Sequence, residues 1–256
     1  MISWMWLTLL LGGLSLDITA VGQFMISRPI VVGPLAGAVL GAPGIGLAVG
    51  ALVELIWIGD LPVGAHMPID NTLLAGAATY LAAEAVSRGA DPSAAVTFAL
   101  CVVLPLAALS SYAENFARRL NGRWVKRAQS QVEAGRIESF ERTEILILAM
   151  LFAKGLLVAA FSLGVAYESV NLYRFLPPEV LQAFSFAPWF LMVTGCAAAI
   201  DLLVEPRRIL LLAAAAVVSA LLILFFNTPA IYLLAGALFV GLITTVGPIR
   251  KAGGTS

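Results

Sequence analysis

Residues 29–59 read PIVVGPLAGAVLGAPGIGLAVGALVELIWIG, and this stretch decides the fold. Apart from Glu54 it carries no charge, so it is apolar enough to lie in hydrocarbon. Gly41-Ala42-Pro43-Gly44 interrupts it and Gly59-Asp60-Leu61-Pro62 follows it. Glycine and proline break helices, glycine by its backbone freedom and proline by its missing N–H. The expectation is therefore two short broken or re-entrant helices in place of one long span. Such backbone is tolerated at membrane depth only where protein or a watery cavity satisfies its N–H and C=O groups.

Outward from this stretch the pattern repeats. Apolar segments lie near 2–22, 68–86, 93–113, 145–167, 184–204, 209–226 and 229–248. Of the 256 residues, 61% are hydrophobic and 12% charged, against roughly 25% charged in an ordinary soluble domain. The fold class is thus an all-α polytopic membrane protein, and residues 1–256 form a single membrane domain with no separate soluble part. The apolar N-terminus lacks the Lys or Arg that opens a cleavable signal peptide, so it is expected to remain in the mature chain.

Fifteen basic and fifteen acidic residues cancel, which excludes the concentrated basic surface of a nucleic-acid binder. Cys101 and Cys196 have no Cys or His neighbours, so neither a metal site nor a disulfide is expected, and both are read as core packing. No cofactor is implied. Residues 114–144 turn polar, with Arg118, Arg119, Arg123, Lys126, Arg127, Arg136 and Arg142 among Glu133, Glu138 and Glu141. The positive-inside rule makes this a cytoplasmic basic loop. Four spans over 145–248 then return Arg207, Arg208 and the Arg250-Lys251 end to the cytoplasm.

The 4-residue spacing of Gly33, Gly37 and Gly41, repeated by Gly46 and Gly50, predicts a bare helix face for close helix packing. No Lys and Ser/Thr follow these glycines, which excludes a phosphate-binding P-loop. An ionised Glu54 facing lipid costs roughly 2.5–3.5 kcal/mol, so it should face the interior. With Asp60, His66, Asp70 and Asn71, preceded by Gln23 and Arg28, it forms the densest polar cluster near apolar sequence. Carboxylates and carboxamides suit a sugar, because paired acceptors read neighbouring hydroxyls. Two readings stay open for Glu54 and Asp70: sugar contact, or pairing with backbone amides or Arg28 that holds broken helices together. His66 is the only histidine, read first as a polar lining residue, then as a sugar contact, with covalent chemistry least favoured. Asp17 is read equally as a cap and a functional group. Lys154 is read as snorkelling to the interface.

Residues 23–76 resemble the IIC subunit of the mannose, fructose and sorbose family of phosphotransferase-system (PTS) permeases. The likeness is carried by Ser27-Arg28-Pro29, Gly33-Pro34-Leu35-Ala36-Gly37-Ala38-Val39-Leu40-Gly41, Gly46, Gly50, Glu54-Leu55-Ile56-Trp57-Ile58-Gly59, Gly64-Ala65 and Asp70. Pro68-Ile69-Asp70 departs from the family habit of proline directly before the aspartate. The resemblance implies a multi-pass protein of the bacterial inner membrane, oligomeric, pairing with a IID membrane subunit. Sugar would be bound at Gln23, Glu54, His66, Asp70 and Asn71. Phosphate would come from a cytoplasmic IIB subunit supplied by IIA, so no catalytic phosphocarrier residue is expected in this chain. The competing readings are a secondary transporter coupled to a proton or sodium gradient, and a non-transporting scaffold.

Overall fold

The computed structural model describes residues 2–19, 24–57, 70–133 and 138–203. The chain divides into one unit over Met1–Ala199 and a second over Ile200–Ser256, and the architecture below is that of the first. Every regular element among the described residues is helical: α1 (Ile2–Thr19), α2 (Pro29–Val39), α3 (Pro43–Ile56), α4 (Asn71–Ser87), α5 (Pro92–Glu133), α6 (Glu138–Ser169), a 3-10 turn (Val170–Phe175) and α7 (Pro178–Leu203).

Proline opens α2, α3, α5 and α7. At a first helical position its missing N–H costs nothing and its fixed φ is already helical. Aspartates cap two starts, Asp70 accepting from the Leu73 N–H at 3.0 Å and Asp91 from the Ala94 N–H at 2.9 Å.

Among the described residues three helices are long and apolar enough to cross a membrane: Pro92–Glu133, Arg142–Phe175 and Pro178–Ala199. By contrast, α2 and α3 have 11 and 14 residues, about 16 and 21 Å at 1.5 Å per residue, short of the roughly 30 Å hydrocarbon layer. They form an antiparallel hairpin, as the interrupted sequence predicts. Gly41 makes the turn at φ +73°, a left-handed conformation that glycine adopts without strain. Two crossings of close backbone hold the hairpin shut. A Cβ at Gly33 or Gly46 would collide with the other's carbonyl oxygen, and one at Gly37 would lie 2.6 Å from the Ala42 carbonyl oxygen. Nothing lies within 4 Å of a Cβ at Gly41. The expected packing role therefore does not fit Gly41, which serves as a turn.

The centre of the unit is α4. Every residue from Thr72 to Ala83 is buried, and α1, α2, α3, α5 and α6 all pack against this helix. Its alanines and Gly76 admit neighbours closely, and its hydroxyls are satisfied locally: Thr79 donates to the Ala75 carbonyl at 2.7 Å and Thr72 to the Ser27 carbonyl at 2.9 Å.

Two further expectations change. The polar stretch from 114 is not an irregular loop. It continues α5 unbroken to Glu133, and α6 resumes at Glu138, because Ala117 and Ala128 are buried along one face while the basic side chains point outward. Cys101 and Cys196 are exposed rather than core. In a membrane helix an apolar side chain gains nothing by turning from lipid to protein, so apolarity does not imply burial. The spans expected at 209–226 and 229–248 lie outside the described residues.

Candidate functional site

The candidate site lies where α3 ends and α4 begins. Gln23, Asp60 and His66 lie outside the described residues. The remaining predicted residues fall into two polar nodes on neighbouring elements.

At the first node Arg28, the residue before α2, forms an ion pair with Glu54 near the end of α3. The second oxygen of Glu54 accepts the Ile30 N–H at 3.3 Å. The Glu54 side chain is 15% exposed and that of Arg28 36%. Of the two readings of Glu54, the helix-holding one has its contacts here. The carboxylate still keeps acceptor capacity, since its two oxygens offer about four lone-pair sites.

The second node surrounds Asp70. One carboxylate oxygen caps α4, and the group lines a small enclosed chamber with Ser15 of α1, Thr72, Ser110 of α5 and Lys154 of α6. The chamber offers about 10 Å³ to the centre of a water, room for roughly one molecule. Next to Asp70, the side-chain oxygen of Asn71 is buried with no hydrogen-bond partner among the described residues. A buried acceptor left unpaired costs on the order of 1–3 kcal/mol.

A third carboxylate joins the nodes. Asp17, buried at the end of α1, accepts from the Phe24 N–H at 2.7 Å, the Ser27 N–H at 3.2 Å and the Ser27 hydroxyl at 3.0 Å. It thereby fixes the turn in which Met25 takes φ +62°, and delivers Arg28 to Glu54 and the Ser27 carbonyl to Thr72. Its contacts are those of a tie across a turn rather than of a helix cap, since Phe24 and Ser27 lie between α1 and α2 and in neither helix.

Sequence reading missed Lys154. It does not snorkel: its ammonium pairs with Glu114 of α5 across the α5–α6 contact, and Glu114 also accepts from Arg118 at 3.2 Å. Only the isolation of a Lys beside Gly155 within an apolar run could have flagged it. Among the described residues no group of three His, Cys, Asp or Glu could hold a metal ion.

Comparison with known proteins adds to this geometry. A family model described as the PTS system sorbose-specific IIC component matches residues 1–244. The sorbose-specific EIIC component of Klebsiella pneumoniae is 26% identical over 186 residues, covering 71% of this chain and 66% of that protein. The mannose-specific EIIC component of Escherichia coli K12 is 24% identical over 185 residues, with the same coverage of 71% and 66%. N-acetylgalactosamine permease IIC component 1 of E. coli K12 is 26% identical over 216 residues, 83% of this chain and 70% of that one. The match thus spans just under two thirds of the sorbose and mannose relatives. Two solved structures share the fold. One is described as a membrane protein, with TM-score 0.69, 19% identity and 98% of each chain covered. The other is a cryo-EM structure of the mannose transporter ManYZ with microcin E492, with TM-score 0.53, 20% identity and 99% and 96% covered.

Proposed function

Because the chain belongs to the family of sorbose-type phosphotransferase IIC components, multi-pass proteins of the bacterial inner membrane, we propose that it is the sugar-translocating membrane subunit of a mannose-type PTS permease. It binds a hexose or amino sugar and presents it for phosphorylation by a cytoplasmic IIB subunit, itself charged by IIA, while a IID subunit completes the path in the membrane. The relatives described are phosphotransferase components rather than gradient-coupled porters, and the secondary-transporter reading gains no support from them.

The observation that carries the reading is the buried amide oxygen of Asn71 left without a partner among the described residues, adjacent in sequence to the Asp70 carboxylate at the start of α4. A sugar hydroxyl would supply the donor that this oxygen lacks. Depth supports it too. Asp70 sits beside Ser110, four residues before Glu114 and the polar extension of α5, so about 6 Å of helix separates them. With that extension cytoplasmic by the positive-inside rule, a sugar at Asp70 lies near the side on which its hydroxyl can attack the phosphoryl group of a phosphohistidine, releasing the histidine. The subunit's part in the reaction is then to hold a hydroxyl in line with the phosphoryl group.

The test is sugar binding and phosphoenolpyruvate-dependent phosphorylation by the purified protein assembled with its partner subunits in vesicles. Glu54→Gln and Asp70→Asn each remove a charge while keeping shape. If each carboxylate makes a charge-assisted hydrogen bond, affinity falls roughly tenfold to a hundredfold with assembly intact. Near-native affinity in both variants refutes the site. Delivery of unmodified sugar that collapses with an uncoupler refutes the phosphotransferase reading.

A further inference from the structure

We infer that Lys154 is the positioning residue for Asp70: shared between two carboxylates on different helices, it orients the Asp70 carboxylate toward bound sugar. The inference rests on Asp70 being a sugar ligand, and it adds residues from α5 and α6 to the machinery.

Three charged groups meet midway along α5, beside the chamber that Lys154 lines together with Asp70. Glu114 takes two cations, Lys154 from α6 and Arg118 from its own helix. The side chains of Lys154 and Glu114 are 18% and 16% exposed, whereas Arg118 is 54% exposed. Lys154 therefore has little water to satisfy it and must use protein oxygens. Glu114 is the one it contacts, and Lys154 lines the same chamber as Asp70 and Ser110. The formal charges of Asp70, Glu114, Lys154 and Arg118 sum to zero. Because Arg118 remains on Glu114, Lys154 can lean toward Asp70 without stranding Glu114.

The geometry explains why Asp70 needs help. One of its oxygens is committed to the Leu73 N–H, so the direction of the other is set by its neighbours in the chamber. A lysine is suited to this work, since its ammonium has three rotatable donors and can serve two carboxylates and a water at once.

The experiment compares Asp70→Asn, Lys154→Met, the double variant Glu114→Gln/Lys154→Met, and the triple variant that adds Asp70→Asn. Each is purified with the partner membrane subunit, and equilibrium binding is measured with radiolabelled mannose, sorbose and N-acetylgalactosamine. Lys154→Met alone leaves Glu114 short of a partner and can fail to assemble. Glu114→Gln/Lys154→Met removes both members of the pair, which is close to neutral for folding, while still stripping Asp70 of its cation. The expected result is normal assembly with affinity lowered about tenfold or more in the double variant, no further loss on adding Asp70→Asn, and near-native affinity in Lys154→Arg. If Asp70→Asn weakens binding but the double variant binds normally, Lys154 is only a structural tie and the inference falls alone. Losses that multiply in the triple variant overturn it equally. If Asp70→Asn itself binds normally, the sugar-site reading fails and takes the inference with it.

Discussion

The α2–α3 hairpin makes a quantitative prediction at Gly46. A methyl added there points at the carbonyl of Gly33, 2.7 Å from its carbon and 3.1 Å from the Gly37 Cα. All three nearest atoms are main chain, so no rotamer change relieves the clash, and the helices must part by about 1 Å to restore ordinary van der Waals distance. Inserting a group into a packed core costs roughly 1–3 kcal/mol, and Gly→Ala returns at most about 1 kcal/mol in helix propensity. A control cancels the second effect. Gly13 lies within α1 with nothing inside 4 Å of its Cβ position, so Gly13→Ala gains the propensity without the clash. Gly46→Ala should therefore melt below Gly13→Ala by the full clash of about 1–3 kcal/mol. At roughly 2–4 °C per kcal/mol for a chain of this size, that is on the order of 2–12 °C. Thermal unfolding of both variants in one detergent or nanodisc, followed by tryptophan fluorescence, measures it. Equal melting temperatures would refute the close-packed hairpin. A second readout comes from the hairpin's open end. Parting the helices pulls Glu54 from Arg28, so sugar affinity should fall alongside stability.

Two other outcomes are expected. Asp17→Ala removes the acceptor for Phe24 and Ser27 and should destabilise the protein by about 2–4 kcal/mol, since each bond to a buried carboxylate is worth about 1.5–3 kcal/mol and part is regained from water; limited proteolysis should then cut between α1 and α2, and an unchanged digest would count against the role given to Asp17. A cysteine at Ser130, on the outward face of the α5 extension, should react with an impermeant maleimide only after the membrane is opened; labelling in intact cells would reverse the topology.

Much of the architecture is written in punctuation. The Gly41-Ala42-Pro43-Gly44 interruption marks the hairpin turn as the sequence suggests, and Pro29, Pro43 and Pro92 prove to open helices. Polarity was a poorer guide. Residues 114–133 are rich in charge, yet they stay helical because Glu114, Ala117, Asn121, Trp124 and Ala128 line one face and α6 covers it. The site was half legible. Glu54 and Asp70 stand out as charges that lipid would not tolerate, but their partners are distant. Arg28, one of the partners the sequence offers for Glu54, reaches it across 26 positions, whereas the Lys154 contact with Glu114, across 40, is not foreseen. No local spacing rule connects such residues, since only the helix packing brings them together. Lys154 illustrates the loss, because a lone lysine within an apolar run looks alike whether it reaches water or a buried acid.

The complete enclosure of α4 has a consequence for biogenesis. Three of its five neighbours, α1, α2 and α3, precede it, but α5 and α6 emerge afterwards, and 82 residues separate Ser87 from Ser169 (169 − 87). At about 5–20 residues per second, the ribosome takes roughly 4–16 s to supply them. For the early part of that interval Asp70 waits without Ser110 and for most of it without Lys154, while the alanine-rich flank that will receive α5 and α6 faces lipid or the insertion machinery. The helix is thus a guest of its own unfinished bundle. Chains stalled between residues 87 and 169 should be the ones that membrane quality-control proteases find, and chains that have passed residue 169 the ones they leave alone.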